Sequence, residues 1–431
     1  RELEEAFKAA MRRHDKRRES GVALALPREL NWRLKSAPRP KKGANFTIPA
    51  EAFGHLRDAW RKAGFAELAA GRVAVVVLLG GAEQIARPAS AQVPWSEAIS
   101  TADIGLPSQK SILQVLCERL KRLCHLIERS EASALAGQPP KSAMQRLAAR
   151  VPLYIMLNAQ NHADVVDFVR RADYFGLGPM CVSFFVQDNT PLLDRDGRIL
   201  LETKGSIHLQ PEGNGSAIQA MEQEGVIADM KTRGVTQVFI MAGNNLLAKV
   251  ADPMFVGYCC SQQAQVGCKL IERVGVDEDL GLFGSEERRV LKDVDGNRGG
   301  GGHGGHGGSR GFLDVQWELR AVMVPSQEVS DEQRRRKNKT RFYFWAADLC
   351  QYYFAIGALR KLVKIKSGHM RHVKELRVHH VSLKSGRTKI SRPGVNNAIM
   401  LESYLGDTFE HVEHVQGFLV DRGYEFARIR A

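Results

Sequence analysis

A chain of 431 residues with 44% hydrophobic and 26% charged residues has the composition of a globular protein large enough for two or three domains. Its longest apolar run, around Val73 to Leu79, falls far short of the roughly 18 residues a membrane helix requires, so no transmembrane helix is expected. The net charge of +14 is unevenly placed: between Ser330 and Arg392, 17 Lys/Arg stand against Asp331, Glu332, Asp348 and Glu375, which indicates either an acidic partner or a solvated basic face.

The seven cysteines, Cys117, Cys124, Cys181, Cys259, Cys260, Cys268 and Cys350, are odd in number and form no C-x-x-C pair. That pattern argues against a disulfide framework or a zinc knuckle and fits a reducing compartment, the cytoplasm. The chain opens on Arg1 rather than methionine, so a removed leader and an organellar location stay open.

In chain order, Arg1 to Lys42 reads as a basic extension, broken by Pro38-Arg39-Pro40, with an exposed helix near Glu2 to Phe7. Phe53, Leu56, Ala59 and Trp60 recur at helical spacing, and Gly64 is expected to end that helix. Val73 to Leu79 is a strand buried on both faces that stops on Gly80-Gly81, where an open α/β sheet brings its backbone against a nucleotide. A long loop, Ala82 to Leu106, precedes an amphipathic helix through Ile112, Leu113, Leu116, Leu120 and Leu123, with Ser108 as the expected N-cap. Strands are expected at Val151 to Leu157, Cys181 to Val186 and Gln237 to Ala242, with helices at Ala163 to Val169 and Ala217 to Lys231 and a hairpin turning at Asp196-Gly197. The glycine- and histidine-rich tract from Gly299 to Ser309 reads as a mobile insertion with no chemistry assigned to its histidines. Beyond it, Phe312 to Val322 is a strand, and Phe342 to Ala347 is an aromatic strand leading into a helix through Leu349, Tyr353 and Phe354. Strand alternating with helix implies an α/β fold with a doubly wound, mostly parallel sheet.

Five blocks in order, Val73 to Gly81, Gly105 to Ser111, Tyr174 to Leu177, Pro211 to Gly215 and Leu247 to Pro253, resemble the eukaryotic UDP-N-acetylglucosamine pyrophosphorylases, within the UDP-sugar pyrophosphorylase family. The resemblance runs from about Leu56 to Ala431 and implies a nucleotidyltransferase-like (GT-A-type) mixed sheet flanked by helices. It also implies uridylyl transfer: the phosphate of N-acetylglucosamine-1-phosphate attacks the α-phosphorus of UTP, pyrophosphate leaves, and magnesium assists. Such chemistry depends on holding phosphates in line and neutralising their charge.

Against the family's pattern the catalytic positions depart. The glycine-rich loop begins with Leu79, Gly80 and Gly81 but continues with Glu83, Gln84 and Ile85 where the family has Gly-Thr-Arg. No lysine follows until Lys110, and Arg87 is the only fixed cation between. Asn244 stands where the family's metal-holding Asp would be, Trp345 begins the segment Trp345-Ala346-Ala347-Asp348 that matches Asn-Ala-Gly-Asn, and Met400 takes the place of a late lysine. Gln187, matched to a uracil-associated glutamine, and Gly213, Asn214 and Gly215 are kept, although the glycines are equally explained by the turn they form.

The expected organisation is a basic extension (1–45), a nucleotide half of the core (46–285), a mobile insertion (286–311) and the remainder of the core with a basic surface (312–431); the family's small carboxyl-terminal domain is expected to be missing. The functional reading is a degenerate pyrophosphorylase-like protein with a structural or binding role and weak binding of a uridine nucleotide or UDP-sugar. An active uridylyltransferase using Arg87 or Lys110 is the alternative. A third reading is a protein or RNA partner bound through Arg334, Arg335, Arg336, Lys337, Lys339 and the basic region 360–392.

Overall fold

The computed structural model describes residues 33–36, 54–80, 108, 110–134, 151–294, 312–365, 372–382, 389–391 and 394–428. The first strand, β1 (Arg33–Ser36), precedes the helix α1 (Gly54–Ala69) and the strand β2 (Val73–Leu78). After α2 (Ile112–Ala134) come β3 (Leu153–Leu157), α3 (His162–Arg171), β4 (Val182–Val186) and the short pair β5 (Asn189–Pro191) and β6 (Leu209–Pro211). Two short helices, α4 (Ala217–Gln223) and α5 (Val226–Thr232), lead to β7 (Gln237–Ala242), α6 (Pro253–Ser261) and β8 (Val266–Glu272). A long hairpin of β9 (Leu282–Val294) and β10 (Phe312–Val324) follows, then α7 (Asp331–Arg335), β11 (Lys337–Asn338), β12 (Arg341–Phe342), β13 (Ala346–Ala355) and α8 (Ile356–Leu362). The chain closes through β14 (His372–Leu376), β15 (His380–Ser382), β16 (Lys389–Ser391), β17 (Ala398–Glu402), β18 (Val415–Leu419) and α9 (Arg422–Glu425).

Ten strands form one mixed sheet whose main path runs β1-β9-β13-β7-β2-β3-β4, with β10 on β9, β8 on β13 and β18 on β8. Strands β7, β2, β3 and β4 are parallel, as are β8 and β18, whereas β13 runs antiparallel to β7, β8 and β9. The chain therefore builds β3 and β4 on one side of β2 and returns to place β7 on the other. That makes β2 the switch point, and every one of its residues is buried. One face of the sheet packs against α1, α2, α3 and α6 through Trp60, Leu116, Val165 and Phe255. The opposite face packs against α4, α5 and α8 through Met221, Ile227 and Leu359. A smaller lobe carries β5, β6 and β14 to β17 around Leu192, Leu200, Ala398 and Met400.

Several local expectations change. Gly64 does not end α1, because it is a contact point: a Cβ there would lie 1.8 Å from the Pro253 carbonyl oxygen, and one on Gly257 would lie 1.8 Å from that of Trp60. The helices α1 and α6 thus cross backbone to backbone, and Gly71, at φ +71°, follows the true end. Helix α2 starts later than expected, with the Ser111 hydroxyl, not Ser108, accepting from Gln114 N at 3.0 Å. The expected Ala217 to Lys231 helix is two, separated by left-handed Gly225. Leu349 to Phe354 is strand rather than helix, because β13 is central and buried on both faces, which hides the alternation that marks a strand.

Residues 286–294 belong to β9, and 33–36 of the amino-terminal extension pair antiparallel with Gly284 to Glu287. The glycine- and histidine-rich tract and the Glu2 to Phe7 segment lie outside the described residues. No helix among the described residues is long and apolar enough to cross a membrane.

Candidate functional site

The carboxyl ends of β2, β3, β4 and β7 lie side by side and define one edge of the sheet. At the end of β2 the backbone of Leu79 and Gly80 is held by side-chain amides. Asn161 Nδ2 donates to Leu79 O at 2.8 Å, and Gly80 O accepts from Asn158 Nδ2 at 3.0 Å and Gln187 Nε2 at 2.6 Å. Gln187 is 3% exposed, and its oxygen accepts from the Ser216 hydroxyl at 3.1 Å, so both ends of the amide are engaged. A Cβ on Gly80 would meet Gln187 Nε2 at 2.4 Å, which accounts for a glycine here without a ligand. Gly81, Glu83, Gln84, Ile85 and Arg87 lie outside the described residues.

The loop Gly213-Asn214-Gly215 is built against the turn after β17. Gly215 N donates to Ser403 O at 2.9 Å, and Leu405 N donates to Asn214 Oδ1 at 2.9 Å. A Cβ on Gly213, which sits at φ +97°, would lie 2.5 Å from Ser403 O, and one on Gly215 would lie 2.7 Å from Tyr404 N. Close approach of two backbones therefore requires both glycines. Asn214 Nδ2 also reaches Cys350 Sγ at 3.6 Å, which ties this loop to β13.

Asn244 lies two residues past β7 and is buried; its neighbour Gly243 donates from N to Leu78 O at 3.0 Å, which places it beside the end of β2. Across from it, Asp348 and the left-handed Cys350 mark an irregularity in β13. Burial raises the Asp348 carboxyl to about 6, although it accepts from Tyr352 OH at 2.5 Å and Cys350 N at 2.8 Å. Among the described residues no group of three or more His, Cys, Asp and Glu could hold a metal. Asn244 offers a neutral amide and Asp348 already serves two donors, so the described residues here do not fit a hard divalent cation such as magnesium. Trp345 and Met400 are core residues, 5% exposed each, in the second sheet-face cluster and the small-lobe cluster respectively. Lys110 pairs with Glu118 at 2.6 Å.

The strongest charges near this edge were not singled out by sequence reasoning. Lys269, on β8, is wholly buried; its ammonium lies 2.7 Å from Asp252 and 2.6 Å from Glu425, while Lys249 reaches the other Glu425 oxygen at 2.8 Å. Burial opposes ionisation, but the mutual fields win: Lys269 is held above its ordinary pKa and Asp252 below its own. Asp252 also caps α6 by accepting from Met254 N. The signal available was a lone lysine in the apolar run Val266 to Ile271, a residue that must find a partner when buried. Asn245 extends the clasp, donating to Glu425 O at 2.8 Å and accepting from Ala427 N at 2.9 Å. This pins the segment after β18 beside the edge, and Arg428 there partly offsets the burial that raises the pKa values of Asp348 and Cys350. Its guanidinium donates to Asp279 O at 3.0 Å.

Comparison with known proteins now has a geometry to meet. The family profile described as UTP-glucose-1-phosphate uridylyltransferase matches residues 100–292. A Xenopus tropicalis protein named UDP-N-acetylhexosamine pyrophosphorylase-like protein 1 is 27% identical over 94% of this chain and 70% of its own length. The chain is similar to the UDP-sugar pyrophosphorylases. Arabidopsis thaliana UDP-N-acetylglucosamine diphosphorylase 2 is 27% identical over 87% of this chain and 64% of its own. The crystal structure of the uridine diphosphate N-acetylglucosamine pyrophosphorylase from Trypanosoma brucei superposes with a TM-score of 0.69 at 20% identity, covering 100% of this chain and 72% of that one. The architecture is thus that of the UDP-sugar pyrophosphorylases, a nucleotidyltransferase-like mixed sheet flanked by helices.

Proposed function

We propose that the protein keeps the pyrophosphorylase scaffold without uridylyl transfer and serves as a structural or binding subunit, with weak residual affinity for a uridine nucleotide or UDP-sugar. One observation carries the reading: where the chemistry would need cations and a metal-holding carboxylate, the described residues of the edge include the neutral amides Asn158, Asn161, Gln187, Asn244 and Asn245. Amides position a ligand by hydrogen bonds but cannot offset the charge that develops in phosphoryl transfer. Gln187, moreover, is committed to Gly80 and Ser216, so binding uracil through it would break bonds the fold already makes. The cations Lys249 and Lys269 are neutralised by Asp252 and Glu425.

Arg428 supports a second reading, an active uridylyltransferase making UDP-N-acetylglucosamine and pyrophosphate. It is a cation anchored beside the edge, and the Arabidopsis relative's name specifies that class of activity. Release of pyrophosphate separates the two. Residual binding is tested on its own by thermal shift: UTP or UDP-N-acetylglucosamine at millimolar concentration raises Tm if the corner still binds the nucleotide, and leaves it unmoved if the role is structural only.

A further inference from the structure

Away from the nucleotide edge, the foot of the β11–β12 hairpin holds two guanidiniums with unmet hydrogen-bonding capacity. Arg273, just past β8, is 4% exposed. Its Nε and Nη2 donate to the carbonyls of Gly275 and Val276 at 2.9 Å each, and its plane lies 4.5 Å from the Phe342 ring centroid. Its Nη1 is buried and has no partner. Arg334, on α7, spends its Nη2 on Asp331 while its Nε is likewise buried without a partner, as is the amide oxygen of Gln333 beside it.

Burial first, and then the like charge of Arg334, lower the pKa of Arg273; Glu278 and Asp277 oppose this. Glu278 is already bound by Arg422 and by Val274 N, and Asp331 by Arg334. A buried donor left unpaired is costly, the more so on a charged group, and a water molecule would satisfy the N–H without adding opposing charge. An oxyanion satisfies both, by short charge-assisted bonds that guanidinium geometry favours.

The surroundings agree with an anion. Lys337 stacks over the same Phe342 ring at 5.1 Å and Arg336 over Tyr343 at 4.2 Å, and Arg335, Arg336, Lys337 and Lys339 are exposed. Phe342 and Phe344 are buried, at 8% and 2% exposed, so the hairpin offers charge rather than bare rings for stacking on bases.

We propose that Arg273 and Arg334 form a binding site for a phosphoryl oxyanion, taken up either as free phosphate or as a phosphate monoester. The site is independent of the nucleotide edge and of whether that edge is catalytic.

The test is calorimetric titration of the full chain with inorganic phosphate and, separately, with O-phosphoserine, at an ionic strength held constant with chloride. Saturable binding of one anion per chain is expected, weakened at least tenfold in Arg334→Gln, whose partly exposed side chain permits folding, which circular dichroism checks. Lys339→Gln, an exposed change outside the pair, leaves the affinity unaltered. Binding of phosphate alone assigns a free anion, and binding of phosphoserine assigns a monoester. Absence of saturable binding with both ligands, unchanged affinity in Arg334→Gln, or an equal loss in Lys339→Gln overturns the proposal.

Discussion

Lys269 shows how one side chain constrains the core around it. An ammonium wholly removed from water is tolerable because Asp252 and Glu425 each contact it, and it in turn carries most of the opposing charge for Asp252, while Glu425 shares it with Lys249. Lys269→Met is therefore expected to destabilise the protein by about 3–5 kcal/mol, read from urea unfolding, because it strands buried Asp252 and leaves Glu425 with Lys249 alone; a loss below about 1 kcal/mol would show that water reaches the clasp. His372 sets a different dependence. Its ring is 6% exposed, with Nδ1 at 2.5 Å from Glu328 and Nε2 at 2.8 Å from Asp407. Burial would push its pKa down, but the two acids overcome that and raise it to about 10. A raised folded-state value means stability fully present below the unfolded value of about 6.5 and lost as pH climbs through 10. Urea midpoints should fall across that window in the native chain and stay flatter in His372→Gln; parallel profiles would count against the ion-paired histidine.

At the scale of elements, the crossing of α1 and α6 is a close backbone contact that a single methyl group can probe. Gly64→Ala is expected to cost about 3 kcal/mol in unfolding free energy, since the neighbouring atom is the backbone oxygen of Pro253 and cannot rotate aside. A neutral substitution would mean that the helices stand further apart. Ser111→Ala tests the cap of α2, with an expected loss of about 1 kcal/mol. These two positions also show where sequence reasoning stopped. Buried strands β2, β3 and β7 were legible because continuous apolar runs of strand length have few alternatives. Gly64 looked like a terminator because a sequence does not reveal which glycine will meet another helix. The β13 segment looked helical because burial on both faces removes its alternation. At the site, the order of the blocks could be read directly, whereas the clasp of Lys249, Asp252, Lys269 and Glu425 joins residues far apart along the chain.

The whole molecule presents a doubly covered mixed sheet with an amide-lined edge, a lobe joined to that edge through Gly213 to Gly215, and basic charge gathered elsewhere on the hairpin after α7. The architecture is that of the UDP-sugar pyrophosphorylases, and the proposed loss of uridylyl transfer rests on the neutral amides at this edge and on the pairing of Lys249 and Lys269 with Asp252 and Glu425. Pyrophosphate release by the full chain, with UTP, magnesium and N-acetylglucosamine-1-phosphate at saturating concentrations, tests this most directly. No release above the protein-free background is expected, and turnover within the roughly 1–1000 per second of ordinary enzymes would contradict it.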